Sequence, residues 1–526
     1  MEGGQKLQEA LQQWRGLSPG VRVYSGPEIP DIYTHSTLSP KSIEVSAVLL
    51  PGNADEVRKI VHIAEVYGIA LYPISRGRNW GYGSATPARD GCVIIDLSRM
   101  DRVISFDRVL GLVTVEPGVT MGHLERYLQE NELSFLAPVV GAGAWCSLIG
   151  NALERGTSLT ANSDRFDSLI ALEAVLSDGT IYRSPFAEGT KVSPYKWGVG
   201  PYLDGLFSQS NIGIVTRATF LLAPRPHASK MFVIRIREDG DLASAVESMR
   251  KLAADLGSVL AYFEIANDRL IMGRTLPYPS GKIPLSGAVV REAIGRLGFG
   301  SWTIVGSLQG ELRMTDTARE VITDTFAPQE CAFYSGRRLF RNQEEANLSA
   351  DAKITLSILQ RFFQRMNGRN GSTGGRLPFW RIGDEATHES DDSYDLNPQC
   401  GLIFFTAVSP MTQCMAQFAH KAATICENHA IEPLVNIRLC SDRTLCVNIP
   451  LLFDKSDARS CDGARACYRA LAEEAKQEGL FIQRVPHQFM EEILDTSSAA
   501  LHLARRLKEA LDPKGIMAPG RYDAKQ

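Results

Sequence analysis

From Ser42 onward, Ile43, Val45 and Ala47 alternate with polar residues and run into Val48-Leu49-Leu50 before Pro51-Gly52. Period-two alternation closed by a turn pair predicts a strand and its stop. Asn53 then stands where a helix N-cap belongs, Val57, Ile60, Val61 and Ala64 recur at helical spacing, and Gly68 falls where the helix would end. Residues 69–74 complete a strand-helix-strand unit. Short strands are predicted at 92–97 and 112–115, and Thr120 is placed to cap a helix carrying Met121, Leu124 and Leu128 on one side. Segments 168–177 and 181–184 flank the turn Asp178-Gly179, and 213–222 is a further apolar strand closed by Pro224 and Pro226.

Past residue 228 the rhythm changes. Strands are predicted near 231–237, 260–266, 302–308, 401–408, 434–440 and 444–452, separated by amphipathic helices. This is the pattern of an antiparallel sheet with helices on one face, and it makes the whole chain α+β. Residues 367–397 are rich in Gly, Ser, Asp and Arg and too long for a plain connection; a lid, an oligomer contact and a simple loop all fit. A helix over 496–511 precedes Asp512-Pro513-Lys514-Gly515-Ile516-Met517-Ala518-Pro519-Gly520, a punctuated turn that can lead back to the first domain.

With 526 residues, 44% hydrophobic and 22% charged, the chain suits two or three globular domains. A formal net charge of −4 provides no basic field for nucleic acid or an anionic membrane. No run of about 18 apolar residues occurs, and the start Met1-Glu2-Gly3-Gly4 lacks the apolar core of a secretory signal, so the cytoplasm is the expected compartment. The ten cysteines are scattered without close pairs, which predicts reduced thiols and no metal site.

The most informative segment is Pro73-Ile74-Ser75-Arg76-Gly77-Arg78-Asn79-Trp80-Gly81-Tyr82-Gly83-Ser84, directly after a strand. Its glycines allow close backbone approach, so successive N–H groups can form an anion nest, with Arg76 and Arg78 adding charge; an ordinary glycine-rich turn fits the same residues. The GxGxxG spacing at a helix start is missing, which disfavours a Rossmann fold.

This loop, together with Val115-Glu116-Pro117-Gly118-Val119, Leu148-Ile149-Gly150-Asn151 through Gly156, Asn162-Ser163-Asp164-Arg165-Phe166, Gly200-Pro201-Tyr202-Leu203-Asp204-Gly205-Leu206-Phe207, Ser210-Asn211-Ile212-Gly213-Ile214 and the terminal Gly-Ile-Met-Ala-Pro-Gly, resembles the vanillyl-alcohol oxidase and para-cresol methylhydroxylase type of FAD-binding proteins. The resemblance implies an FAD-binding domain built from residues 1–228 and 481–526, a substrate-binding cap over 229–480, and a homodimer. It implies that Ser75, Arg76, Gly77, Arg78, Asn79 and Trp80 hold the pyrophosphate, while Pro117, Gly118, Gly150, Asn151, Gly156 and Ile214 pack around the rest of the FAD.

It further implies catalytic roles. Asp164 matches an active-site carboxylate near the flavin; the alternative is a loop aspartate satisfied by backbone N–H groups or Arg165. Tyr82 and Arg484 match a tyrosine and an arginine that stabilise a substrate oxyanion, with ring packing and a surface ion pair as the respective alternatives. Two departures stand out. Gln483 occupies the place of a second tyrosine and weakens the oxyanion site, leaving His487 as a possible base or a structural residue. Leu402 occupies the place of a residue that bonds to the flavin, so a non-covalent FAD is expected, with Tyr394 and Cys400 as nearby alternatives for a link. The expected activity is oxidation of an alcohol or benzylic carbon of a small, aromatic substrate with O₂ as acceptor; a dehydrogenase with another acceptor and a flavin-dependent cyclase or isomerase are the competing readings.

Overall fold

The computed structural model describes residues 2–17, 20–161, 163–185, 187, 193–279, 283–327, 329–341, 348–371, 377–382 and 393–523. Four strands, β1 (Arg22–Ser25), β2 (Val45–Leu50), β3 (Leu71–Ile74) and β4 (Cys92–Asp96), form a sheet ordered β1-β2-β4-β3. Strands β2 and β3 each run parallel to β4. The crossover is helix Ala54–Tyr67, which starts where the Asn53 side chain accepts from Glu56 N at 3.0 Å and stops at Gly68, whose φ of 66° is left-handed. Its apolar face, Val57, Ile60, Val61 and Ala64, is fully buried against the sheet.

A second sheet is antiparallel and ordered β5-β6-β9-β7-β8, from β5 (Val103–Asp107), β6 (Leu112–Val115), β7 (Leu169–Leu176), β8 (Ile181–Arg183) and β9 (Gly213–Leu221). Helix Met121–Glu130 lies against it, capped by Thr120 Oγ1, which accepts from His123 N at 3.1 Å.

Between Leu221 and Ala228 the chain passes to an eight-stranded antiparallel sheet. Its strands are β10 (Ala228–Ile236), β11 (Leu260–Asn267), β12 (Trp302–Gly310), β13 (Glu330–Ser335), β14 (Gly401–Pro410), β15 (Asn436–Ser441), β16 (Thr444–Phe453) and β17 (Phe481–Arg484), in the order β13-β10-β12-β11-β15-β16-β14-β17. One face packs on helices Leu242–Leu256, Gln413–Asn428 and Ala458–Gln477. The other face is also helical at one end, where Asp268–Thr275, Gly287–Arg296 and Ala350–Met366 pack, and is open at the other, toward the first domain. Helices on one face only is therefore corrected. Of the long segment 367–397, residues 372–376 and 383–392 lie outside the described residues.

A return to the first domain at 481 is also corrected. Phe481–Arg484 is the edge strand of the cap sheet, pairing with β14, and Val485, Phe489 and Met490 are buried in the cap core. The return follows helix Ala499–Leu511: Leu71 N donates to Ile516 O and Ala518 N to Leu71 O, both at 2.7 Å, which places Ile516 and Met517 in the core beside Val57 and Ile60. Buried Asp512 ties this turn together by accepting from Ile516 N at 3.0 Å, from Met517 N at 2.8 Å and from Lys508. Removing such an acceptor leaves two buried N–H donors unsatisfied and the Lys508 ammonium on backbone carbonyls alone, at about 2–3 kcal/mol. Asp512→Ala should lower the urea midpoint of the purified protein accordingly, whereas Lys514→Ala, on the exposed side of the turn, should change it little.

Candidate active site

The two domains meet along the glycine-rich loop. Gly81 N donates to Thr37 Oγ1 at 2.9 Å, Phe404 N to Gly81 O at 3.1 Å, and Leu402 N to Thr37 O at 2.9 Å, so strand β14 of the cap docks on the loop backbone. A β-carbon on Gly81 would stand 2.5 Å from the Phe404 ring and 3.0 Å from its backbone nitrogen, and its φ of 76° is left-handed, so glycine is required for this approach. Asp395 adds a side-chain latch, accepting from Trp80 Nε1 at 3.1 Å and from Ser84 Oγ at 2.5 Å.

Between the domains lies a cavity of about 640 Å³. From the first domain it is lined by Ser75, Arg76, Gly77, Arg78, Asn79 and Trp80, and by Gly150, Asn151, Gly156 and Ile214. Several features fit a dinucleotide cofactor. Gly150 presses on Ser75, with its β-carbon position 3.2 Å from Ser75 Oγ, so the loop and helix Leu148–Leu153 form one wall. Asn151 Oδ1 and Asn211 Nδ2, both on the lining residues, are buried without a protein partner. The volume lies within the 300–1,000 Å³ range of roughly cofactor-sized clefts. Pro117 and Gly118 do not line the cavity. Pro117 O accepts from Ser147 Oγ at 2.7 Å, and Gly118 lies so close to Ser98 O that a β-carbon would be 2.4 Å away; both shape the wall from behind.

Tyr82, Gln483 and Arg484 come together. The Arg484 guanidinium carbon sits 4.0 Å over the Tyr82 ring, and Arg484 Nη2 donates to Asn79 Oδ1 at 2.7 Å. The Tyr82 hydroxyl is hydrogen-bonded to Thr406 Oγ1. Burial raises the Tyr82 pKa while Arg484 opposes the rise, so the phenol stays protonated and can donate. Gln483 borders the cavity, with its amide tied to Arg155 O at 3.2 Å and to the Cys446 thiol. Behind Arg484 lies Glu154, which accepts from Tyr522 OH at 2.9 Å and pairs with Arg521 and, at 3.7 Å, with Arg484.

Two expected catalytic residues are elsewhere. Asp164 is exposed and outside the cavity; its carboxylate caps a turn by accepting from Asp167 N at 2.9 Å, while Arg165 is the residue that turns inward over Phe220. His487 is half-buried behind the loop, its ring against Gly83 and its backbone N–H donating to Tyr82 O at 3.1 Å. Burial, reinforced by Arg521, lowers its pKa to about 4. It therefore braces the Tyr82 loop as a neutral ring. Of the candidate linking positions, Leu402 and Tyr394 line the cavity; Cys400 does not, and its thiol is directed at Pro378 O.

The cap sheet contributes polar residues that motif matching missed. Glu264 on β11, Asn436 and Arg438 on β15, Asn448 on β16 and Thr406 on β14 all face the cavity. Arg274 and Arg365 approach from neighbouring helices. Their signal in the sequence is polar residues at every second position of strands that are otherwise apolar, as in Asn436-Ile437-Arg438-Leu439 and Cys446-Val447-Asn448-Ile449.

Gly81→Ala should lower both the melting temperature and the ratio of flavin to protein absorbance, because the seam must open to admit the methyl group. Because unfolded histidine takes up a proton below about pH 6.5 and His487 in the folded protein resists protonation until about pH 4, the unfolded state binds more protons in that window and stability should fall as the pH is lowered through it. His487→Gln should flatten that part of a stability profile measured by urea titration at successive pH values.

Comparison with known proteins agrees with this geometry. Residues 45–184 match a family model described as an FAD binding domain. The chain is 30% identical to 1'-carboxy-chondrochloren decarboxylase of Chondromyces crocatus, over 99% of this chain and 98% of that protein. It is 28% identical to the flavoprotein subunit of 4-cresol dehydrogenase (hydroxylating) of Pseudomonas putida, over 98% and 95%. The crystal structure of p-cresol methylhydroxylase with substrate bound superposes with a TM-score of 0.84 at 26% identity, covering 99% of this chain and 97% of that one. The 4-ethylphenol oxidase of Gulosibacter chungangensis shares the fold, with a TM-score of 0.86 at 24% identity and the same coverage of 99% and 97%.

Proposed function

Because the chain belongs to the vanillyl-alcohol oxidase and para-cresol methylhydroxylase family of FAD-dependent oxidoreductases, we propose that it removes a hydride from an alcohol or benzylic carbon of a small phenolic substrate and passes the electrons to O₂. The observation that carries this reading is the Tyr82–Arg484 pair on the cavity wall, with the guanidinium stacked over the ring of a protonated tyrosine. Such a pair favours the ionised form of a phenolic oxygen, and the charge so stabilised weakens the C–H bond at the para position. FAD, when bound, supplies the hydride acceptor. The first-domain wall, Ser75 to Trp80 with Gly150 and Asn151, is the part suited to hold its pyrophosphate and adenosine; the cap face is left for the substrate.

Within the protein, Thr406 aims the Tyr82 hydroxyl, Asn79 and Glu154 hold Arg484, and Gln483 keeps its amide on Arg155 O and Cys446. In our reading the FAD is not covalently bonded, since Leu402 offers no nucleophile and Cys400 is turned away. One full-length relative is a decarboxylase and another a hydroxylating dehydrogenase, so on a shared flavin side the cap face is what distinguishes reactions.

Purified protein should be yellow, release FAD into the supernatant on acid precipitation, and bleach on anaerobic addition of a 4-alkylphenol or 4-hydroxybenzyl alcohol. A yellow acid pellet would overturn the non-covalent reading and make Tyr394→Phe the next variant. Tyr82→Phe should retain FAD and lower the rate of flavin reduction about 10²-fold, the usual loss for one oxyanion donor. Peroxide formed in step with product supports the oxidase; reduction of an artificial dye without peroxide would instead assign a dehydrogenase. Rapid anaerobic oxidation of non-phenolic alcohols with the phenols inert would contradict the phenolic reading.

A further inference from the structure

The cap side of the cavity carries more positive charge than the protein itself compensates. Arg274, Arg365 and Arg438 all line it, and among the described residues of the cap lining Glu264 is the one carboxylate. Glu264 is already committed: its side chain is 2% exposed and accepts from Arg274 Nη1 at 2.8 Å and from Asn436 Nδ2 at 3.1 Å. Arg438 stands opposite Glu264 in the β11–β15 register, yet its Nε is buried without a hydrogen-bond acceptor. Arg365, near the end of helix Ala350–Met366, donates to the backbone at Val140 O at 3.0 Å. Burial lowers the Arg365 pKa, with Arg274 and Arg438 pushing the same way and Glu264 opposing them. Three guanidinium groups thus share Glu264, the one carboxylate facing them among the described residues, in a cavity also lined by Leu270, Phe299, Val305 and Leu402.

An uncompensated charge in such surroundings is costly unless a ligand supplies its partner. The cofactor's phosphates are not that partner in the family reading, because the glycine-rich loop and its own Arg76 and Arg78 belong to the opposite, first-domain wall. The planar fork of arginine matches a carboxylate in particular. Resting on the phenolic reading above, we infer that the substrate carries a carboxylate on the end remote from its hydroxyl, and that Arg365 and Arg438 bind it. Arg274 is the arginine that balances Glu264.

The test uses the FAD-loaded enzyme and three compounds: 3-(4-hydroxyphenyl)propionate, its primary amide and 3-phenylpropionate. Dissociation constants come from anaerobic stopped-flow flavin reduction for the two phenols and from flavin spectral perturbation for the third. The acid should bind at least tenfold tighter than the amide, the scale of one lost charge-assisted contact. Arg365→Met and Arg438→Met should each remove most of that preference while leaving the amide's affinity within about threefold. Lysine at either position should restore part of it. Equal affinity of acid and amide in the wild type, or a preference that survives both substitutions, would overturn the carboxylate site and leave the phenolic reading standing. If 3-phenylpropionate bound as tightly as its hydroxylated counterpart, the phenolic reading would fail and the carboxylate site would stand. Absence of any response to all three compounds would overturn both. Should a methionine variant fail to retain FAD, the acid-to-amide ratio of the wild type and the lysine variants decides.

Discussion

The structure turns on one partly buried carboxylate. Glu154 sits at the end of helix Leu148–Leu153 and pairs with Arg484 from the cap's edge strand and Arg521 from the C-terminal tail, while accepting from Tyr522 OH. Burial alone would raise its pKa, but the two guanidinium groups outweigh burial and hold it ionised. Three chain segments that are far apart in sequence are thereby fixed at one point. Two arginines against one carboxylate also leave a net positive charge there, and Arg484 delivers it to the face of Tyr82. In the proposed reading, architecture and reactivity draw on the same ion cluster.

The seam repeats this economy with backbone groups. Gly81, in the left-handed region, lets strand β14 hydrogen-bond to the loop that forms the cavity wall, and His487 fills the space behind Gly83 as a neutral ring. A single glycine-rich loop therefore faces the cavity on one side, the cap on another and Tyr82's partners on a third. Small residues are needed at each glycine for a different contact, which a simple nest for phosphate would not require.

Much of this was legible in the sequence. The strand-helix-strand unit at 45–74 carried its cap, its apolar face and its terminating glycine in order, because all three are local signals. That the glycine-rich loop, Tyr82 and Arg484 would meet at one cavity was legible through resemblance. Asp164 misled because a motif fixes position along the chain and not the direction of a side chain; the turn it caps points the carboxylate outward and Arg165 inward. The cap residues Glu264, Arg365 and Arg438 escaped notice for the opposite reason: they belong to no motif and become a cluster only when β11, β15 and a helix are brought together. Similarly, strand Phe481–Arg484 is too short to announce that it pairs with β14 rather than returning to the first domain.

The central claim is that the positive charge concentrated by Arg484 beside Tyr82 ionises a phenol bound in the cavity. It is tested most directly by the absorption of bound 4-hydroxybenzaldehyde, at a pH where the free compound is neutral, as a difference spectrum against the FAD-loaded enzyme. The account predicts the red-shifted band of the phenolate, lost in Arg484→Met. A bound ligand that keeps the spectrum of the neutral phenol would contradict it.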